Sequence, residues 1–129
     1  MAQLLIVEDE FLIFEDLKNQ VQRLGHAVVA HATSGEAAIQ HAIDTKPDLI
    51  LMDVRLNGTM TGVEAARRLR ERHAVPVVYV TAQGRAVEKE IDARHGEFVL
   101  VKPFSPAQLQ AVLVAAIGGP TTVDTTVTF

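Results

Sequence analysis

The sequence predicts an α/β domain built on a doubly wound, five-stranded parallel sheet with five helices. Short apolar runs alternate along the chain with longer stretches whose apolar residues recur at helical spacing. The middle run, residues 48–53, is apolar on both faces, which is typical of a parallel strand covered by helices on both sides. A strict alternation of strand and helix favours a parallel sheet with right-handed crossovers.

Residues that start or end helices mark the boundaries of the predicted elements. Gly25 ends the first helix, Pro47 precedes the third strand, and Gly118 ends the last helix. Thr61 and Ser105 each stand three residues before Glu or Gln, which is the spacing of a capping box. The predicted strands span residues 4–7, 27–32, 48–53, 77–80 and 98–101. The predicted helices span residues 11–24, 34–45, 85–94 and 105–118, with a further helix that starts at 61.

Composition excludes several functional classes. The chain has 129 residues, of which 48% are hydrophobic and 22% charged, and this balance predicts one globular domain. Its formal net charge of −4 disfavours a nucleic-acid surface. The absence of cysteine excludes disulfides, thiol catalysis and zinc–thiolate sites. The first apolar run ends at Glu8, too soon for a signal peptide or membrane span, so we expect a cytoplasmic protein without membrane or nucleic-acid partners.

Side chains that can carry chemistry follow four of the five predicted strands. In an open parallel sheet, ligands bind beyond the carboxyl ends of the strands, so these side chains are expected to meet at one edge. Clustered carboxylates suit a hard divalent cation such as Mg²⁺, and a carboxylate can be a nucleophile toward phosphorus. An ammonium group and a hydroxyl can then stabilise the phosphoryl oxygens. The residues are Glu8, Asp9, Asp53, Thr81 and Lys102.

Each of these residues also has an ordinary structural interpretation. Glu8 and Asp9 can cap the first helix, and Asp53 can belong to a turn. Thr81 can cap the fourth helix, and Lys102 can be a solvated loop residue. We favour a composite site because all four strand ends share one edge of the predicted sheet. A nucleotide or flavin enzyme would need a glycine- or hydroxyl-rich phosphate loop after the first strand, where the acids stand instead.

Taken together, the strand-end motifs resemble the receiver domains of bacterial two-component response regulators. The resemblance covers residues 3–118 and implies a flavodoxin-like fold with strand order 2-1-3-4-5. The motifs are Leu5-Ile6-Val7-Glu8-Asp9-Glu10, Asp48-Leu49-Ile50-Leu51-Met52-Asp53, Val80-Thr81-Ala82 and Val101-Lys102-Pro103-Phe104.

The resemblance implies a role for each acid of the site. Asp53 matches the phosphoacceptor. Asp9 matches the acid that binds Mg²⁺ directly, together with the Asp53 carboxylate and the backbone carbonyl of Arg55. Glu8 matches an acid that reaches the metal through water.

The resemblance also implies roles at the other strand ends. Thr81 matches the hydroxyl that turns toward the phosphoryl group, and Lys102 matches the ammonium that pairs with it. Pro103 matches a proline that follows a cis peptide bond. Arg55 and Gln83 match the positions that flank the path of the hydrolytic water.

Three features depart from the usual receiver pattern. Glu8 stands where many receivers have aspartate. The loop after Asp53 is one residue longer and has Asn57 in place of a common proline, a variant that resembles receivers found with alphaproteobacterial stress and light-sensing kinases. The last helix carries no charge between Ser105 and Gly118, so we expect a monomer or a weak apolar dimer and not a dimer held by ion pairs.

A fourth departure concerns the switch residue. Many receivers place an aromatic residue three positions before the lysine, where this chain has Val99 with Phe98 beside it. Strand alternation puts these two residues on opposite faces, and valine is too short and stiff to swing between rotamers. We therefore expect Thr81 to respond to phosphate and the signal to pass through residues 83–94, the helix with the weakest apolar periodicity.

Two further groups of residues receive less specific interpretations. Residues 11–14 are all apolar, and a helix cannot bury four consecutive side chains against one sheet face. The extra ones either pack at the loop margin or form a docking rim for the phosphodonor, which this family docks beside the acidic pair. The histidines share no metal-site spacing and are interpreted as surface or turn residues: His26, His31, His41, His73 and His95.

The sequence therefore predicts a single-domain phosphoacceptor receiver over residues 1–119, followed by a flexible Thr/Val-rich tail over 120–129. We expect it not to be an enzyme, although it promotes its own phosphorylation and slow autodephosphorylation. The expected partners are a sensor histidine kinase or histidine phosphotransfer protein and a downstream target protein. The alternative is a phosphorylation-independent interaction module, against which the complete set of acids, Thr81 and Lys102 argues.

Overall fold

The computed structural model describes residues 1–91 and 96–118 of the chain. One parallel sheet has the strand order β2-β1-β3-β4-β5, and its strands are β1 (Gln3–Val7), β2 (Ala27–Ala32), β3 (Leu49–Asp53), β4 (Val77–Thr81) and β5 (Glu97–Val101). The helices are α1 (Phe11–Arg23), α2 (Gly35–Thr45), α3 (Gly62–Arg70), α4 (Gly84–Glu88) and α5 (Pro106–Ile117). The predicted fold class and strand order are confirmed. The predicted tail over 120–129 and His95 lie outside the described residues.

Two apolar layers cover the sheet, one on each face. Leu4 and Ile6 of β1 point into the layer formed with α1 and α5, while Leu5 and Val7 point into the layer formed with α2, α3 and α4. All four side chains are at most 1% exposed, and burial of such a side chain contributes about 1.5–3 kcal/mol. This two-sided burial is why the strands are continuous apolar runs. None of the helices in the described part of the chain has the length and apolar character needed to span a bilayer.

An irregularity in β2 changes which face its residues occupy. Leu4 pairs with Val28, but Leu5 pairs with Ala30, so Val29 is an extra residue opposite β1. Such a bulge reverses the side-chain alternation beyond it. Val28 accordingly packs on the α1 face and Ala30 on the α2 face. His31 is thereby turned toward α1, where regular alternation from Val28 would have turned it toward α2.

Side-chain caps begin three of the helices, as the sequence predicts. The hydroxyls of Ser34, Thr61 and Ser105 each accept a hydrogen bond from the backbone N–H three residues later, at 3.1–3.2 Å. The capping box at Ser105 is complete because the Gln108 side chain accepts from the Ser105 N–H at 2.8 Å.

Helix α4 is shorter than predicted. It begins at Gly84 and ends at Glu88, while the sequence predicted a helix over residues 85–94. Its N-cap residue, Gln83, makes no side-chain capping bond, and a helix this short gains little from its own hydrogen bonds. Val87 and Ile91 still pack against the α2–α4 layer. Residues 92–95 lie outside the described part of the chain.

A buried polar group links α3, β4 and β5 at the end of the sheet opposite the strand ends that carry the acids. The Tyr79 hydroxyl is fully buried and donates to Glu97 Oε2 at 3.2 Å, and Arg70 forms an ion pair with the same carboxylate. Burial and the neighbouring Glu97 charge raise the pKa of Tyr79 above its usual range. Tyr79 is therefore fixed in the core and has no room to act as a mobile aromatic switch.

The close approach of α3 to β3 gives a test of the fold. A Cβ atom on Gly62 would lie 2.2 Å from the backbone oxygen of Asp53. We expect Gly62→Ala to destabilise the protein by about 1–3 kcal/mol, because a backbone atom cannot move aside. In an open helical position the same substitution stabilises by up to about 1 kcal/mol. Urea unfolding measures the change.

Gly84→Ala is the matched control at another helix start. Its added Cβ would meet Cγ2 of Val101 at 2.4 Å, but that side chain is 45% exposed and can rotate away. A smaller loss of stability is expected there. If the two variants lose the same free energy, the contact with the β3 backbone does not limit the packing of α3.

Candidate functional site

The three acids lie together where β1 and β3 end. Val7 is aligned with Met52 in the parallel ladder, so Glu8 and Asp53, which come next in the chain, emerge side by side. One carboxylate oxygen from each of Glu8, Asp9 and Asp53 lies within 4.8 Å of the others. The sequence-based expectation that these acids meet at one edge agrees with the structure.

Glu8 is the most buried of the three acids, with 1% of its surface exposed. Its Oε2 accepts a hydrogen bond from the Glu10 N–H at 3.2 Å, and its Oε1 lies 3.6 Å from Lys102 Nζ. Burial is the main reason that the pKa of Glu8 rises from 4.5 to about 7, and the neighbouring Asp53 charge adds to it. A charged Glu8 beside the charged carboxylates of Asp9 and Asp53 is therefore unfavourable without a cation.

Thr81 and Lys102 stand at the ends of the next two strands. Thr81 is 6% exposed, and its Oγ1 accepts a hydrogen bond from the Gln83 N–H at 3.0 Å. The Lys102 N–H donates to the Thr81 carbonyl at 2.8 Å, which ties the two strand ends together. The Lys102–Pro103 peptide bond is cis, as the resemblance implied.

The loop after Asp53 carries one of the predicted site residues, Arg55. The Arg55 N–H donates to Asp53 Oδ1 at 3.3 Å, and the Arg55 side chain is exposed. Met60 is buried against Gly35 at the start of α2, and Asn57 forms a β-bridge with Ser34. The longer loop is therefore held against α2 and does not project into solvent as a whole.

The donor set fits Mg²⁺. Carboxylate oxygens are the ligands that this ion prefers, and it usually keeps several waters in proteins. Glu8 is buried while Asp9 and Asp53 are only half-buried, so one side of the cluster is open to a partly hydrated ion. Asp9, Asp53 and the Arg55 carbonyl would hold the ion, with Glu8 reaching it through water. The ion would neutralise the charge that burial makes unfavourable.

Comparison with known proteins identifies the family. The family model described as the response regulator receiver domain matches residues 4–114, which includes β2 to β5, all of β1 except Gln3, and most of α5. The chain belongs to the response regulator receiver family. The predicted resemblance is confirmed.

The chain is similar over most of its length to three regulatory or signalling proteins. The phyllosphere-induced regulator PhyR of Methylorubrum extorquens is 36% identical over 119 residues, which are 90% of this chain and 43% of that protein. The anti-anti-sigma factor PhyR from Bartonella quintana has 31% identity and a TM-score of 0.78, over 91% of this chain and 47% of the other. The signal receiver domain of a modulated diguanylate cyclase from Desulfovibrio desulfuricans G20 has 30% identity and a TM-score of 0.80, over 92% and 94%. The receiver spans about half the length of the curated relatives it matches.

The two switch candidates on β5 point to opposite faces of the sheet, as strand alternation predicted. Phe98 packs with the layer formed with α1 and α5, and Val99 packs with the layer formed with α2, α3 and α4. Both are half-buried. Gln83 is exposed just before α4. The proposal that residues 83–94 carry the signal stays a prediction, and its last three residues lie outside the described part of the chain.

Sequence reasoning missed His31, which it interpreted as a surface or turn residue. The His31 ring stacks on Phe14 with ring centroids 3.6 Å apart and planes 6° apart. Its Nε2 lies 2.8 Å from the Glu8 backbone oxygen. The bulge at Val29 turns His31 toward this site, and nothing in the local sequence indicates that bulge.

The apolar residues at the start of α1 divide into two pairs. Phe14 is buried and Ile13 is half-buried, while Phe11 is 64% exposed and Leu12 is 81% exposed. Of the two interpretations of the extra apolar residues, burial at the loop margin does not apply to Phe11 and Leu12. They form an apolar rim that begins two residues after Asp9.

Burial of Glu8 predicts a pH dependence of stability in the metal-free protein. The raised pKa means that the folded state favours protonated Glu8, so this stabilisation is complete below pH 4.5 and is lost as pH rises through 7. Glu8→Gln keeps a neutral side chain at all pH values. Relative to wild type, we expect it to be more stable by about 3 kcal/mol at pH 8 and about equal at pH 4.

Urea unfolding of both proteins across this pH range, with a chelator present, measures the difference. Glu71→Gln removes an exposed carboxylate and serves as the control, with no expected change in slope. A difference between wild type and Glu8→Gln that stays constant from pH 4 to 8 would show that Glu8 is not held in an unfavourable charged state.

Proposed function

We propose that this receiver accepts a phosphoryl group on Asp53 in a Mg²⁺-dependent transfer and signals through a change in its contacts with a protein partner. The observation that carries the proposal is the convergence of the Glu8, Asp9 and Asp53 carboxylates within 4.8 Å. Thr81 and Lys102 stand at neighbouring strand ends of the same edge. This combination supplies a nucleophile, a cation site, a hydroxyl and an ammonium group.

The transfer is a displacement at phosphorus. An Asp53 carboxylate oxygen attacks the phosphorus of a donor phosphohistidine, the nitrogen–phosphorus bond breaks, and the histidine nitrogen keeps the electron pair and takes up a proton. Bound Mg²⁺ would neutralise charge on the phosphoryl oxygens. Lys102 lies 3.6 Å from Glu8, close enough for its ammonium to turn to an oxygen of a phosphorylated Asp53. The Thr81 hydroxyl donates to another.

This role makes the receiver a substrate that promotes its own modification, and not an enzyme acting on a separate substrate. Hydrolysis of the acyl phosphate restores the Asp53 carboxylate and releases phosphate. Arg55 lies two residues after Asp53 and Gln83 two residues after Thr81, and both are exposed; we expect them to limit the approach of water to the phosphoryl group.

The donor is a protein, either a sensor histidine kinase or a histidine phosphotransfer protein. Phe11 and Leu12 support this, because exposed apolar side chains beside a charged site suit a partner that buries them on docking. Phe11 also lies against Phe14, with ring centroids 6.3 Å apart, so the rim has a rigid base.

The downstream target is also a protein. The net charge of −4 disfavours direct binding to nucleic acid. The chain is similar to PhyR, and the PhyR of Bartonella quintana is named an anti-anti-sigma factor. This similarity supports regulation by protein contact. The uncharged helix α5 exposes Val114 and Ile117, so contacts through this helix are apolar and insensitive to salt.

Phosphorylation of Asp53 is tested by intact mass. Wild-type protein incubated with Mg²⁺ and acetyl phosphate should gain one phosphoryl group, and Asp53→Asn should gain none. Asp9→Ala should also lose most labelling, since it removes a direct ligand from a site with few protein ligands. Asp44→Asn, an exposed acid on α2, is the control and should label as wild type does. Wild-type labelling of Asp53→Asn would contradict the assignment and leave the phosphorylation-independent interaction module as the better interpretation.

The lifetime of the phosphoryl group is tested by substitution of the flanking residues. Arg55→Ala and Gln83→Ala should change the rate of phosphate loss, because both residues are exposed two positions after site residues Asp53 and Thr81, while uptake of the group continues. Phosphate release after removal of the donor measures the decay. Arg72→Ala, an exposed residue just after α3, is the control. Decay rates that match wild type in both variants would show that neither side chain controls the access of water.

A further inference from the structure

We propose that His31 is a positioning residue for the acidic loop: its Nε2–H holds the Glu8 carbonyl and thereby sets the direction in which Glu8 and Asp9 meet the divalent cation. The proposal rests on the proposed function because it assigns His31 a part in the same cation site. It adds a residue from the edge strand β2, which contributes none of the acids.

The hydrogen bond has a defined direction. Nε2 of His31 lies 2.8 Å from the backbone oxygen of Glu8. A carbonyl oxygen only accepts hydrogen bonds, so the imidazole carries its proton on Nε2. The Glu8 N–H in turn donates to the Ala32 carbonyl at 2.9 Å. Both backbone polar groups of Glu8 are therefore held by consecutive residues of β2.

The ring of His31 is itself held in place. It stacks on Phe14 with centroids 3.6 Å apart and an angle of 6°, and Phe14 is 7% exposed. The Phe14 N–H donates to the Glu10 carbonyl at 3.0 Å, so the stacking partner belongs to the turn that leaves the acidic loop. Without the bulge at Val29, His31 would face α2 and could make neither contact.

The position of the Glu8 carbonyl controls the acid that follows. The peptide group between Glu8 and Asp9 is planar, so fixing the Glu8 oxygen also fixes the plane from which the Asp9 backbone starts. Three carboxylates within 4.8 Å of one another repel, and repulsion favours any loop conformation that separates them. A hydrogen bond that holds this peptide opposes that separation before the cation binds.

Two substitutions separate the hydrogen bond from packing. His31→Phe keeps a planar ring that can stack on Phe14 but has no N–H donor. His31→Gln keeps an N–H donor at the position of Nε2 but loses the aromatic stack. Loss of the donor should weaken Mg²⁺ binding about tenfold, the lower end of the effect seen when a group that orients a metal ligand is removed. His31→Gln should bind Mg²⁺ nearly as well as wild type.

Isothermal titration of each 129-residue protein with Mg²⁺ alone measures the affinity, and urea unfolding measures the stability. His26→Phe is the control, because His26 Nδ1 accepts from the Ala2 N–H at 3.1 Å at the other end of the sheet. We expect weak Mg²⁺ binding by His31→Phe and nearly wild-type Mg²⁺ binding by His31→Gln. This order should hold regardless of which variant has the lower free energy of unfolding. Wild-type affinity in His31→Phe, or losses of affinity in both variants that follow their losses of stability, would overturn the proposal.

Wild-type protein separates this proposal from the proposed function. If wild type binds Mg²⁺ but gains no phosphoryl group from acetyl phosphate, the proposed function fails, and the comparison of His31→Phe with His31→Gln still decides the role of His31. If wild type is phosphorylated and His31→Phe binds Mg²⁺ with unchanged affinity, only the role of His31 fails.

Discussion

Repulsion among three carboxylates is the constraint on which this receiver's functional edge depends. The ladder between β1 and β3 brings the three acids together, because Val7 and Met52 are aligned immediately before Glu8 and Asp53. Burial is the main cause of the raised pKa of Glu8, about 7, and the neighbouring Asp53 charge adds to it. The apolar layers on both faces of the sheet stabilise the strands enough to hold this unfavourable arrangement. A cation that bound here would meet a site whose geometry is already set.

Backbone contacts, more than the acids themselves, hold the site together. The Glu8 peptide is bound by β2, the Asp53 carbonyl is in close contact with Gly62, and the Lys102 N–H donates to the Thr81 carbonyl. Each contact joins a strand end to a neighbouring element of the sheet or to α3. The conformations of the loops therefore depend on residues outside the set that would contact the metal or the phosphoryl group.

Patterns along the chain predicted the parts of this structure that local chemistry determines. The alternation of runs predicted a parallel sheet covered by helices, whereas its strand order came from the resemblance to receivers. Ser105 with Gln108 predicted a capping box that is present. The bulge at Val29 could not be predicted, because it depends on how β2 pairs with β1 and not on its own sequence. His31 was misinterpreted for that reason. The ion pair between Arg70 and Glu97 was also missed, since it joins residues 27 positions apart through the fold.

One hydrogen bond supports the predicted path of a signal from the site to α4. Thr81 Oγ1 accepts the Gln83 N–H at 3.0 Å, and Gln83 is the N-cap residue of α4. A Thr81 hydroxyl that turned toward a phosphoryl group on Asp53 would leave this N–H, and Gln83 supplies no side-chain cap in exchange. Helix α4 is short, so the loss of a contact at its start changes a large share of its stabilising interactions. Phe98 lies on the other face of the sheet from α4, so this route does not require an aromatic side chain on β5 to move.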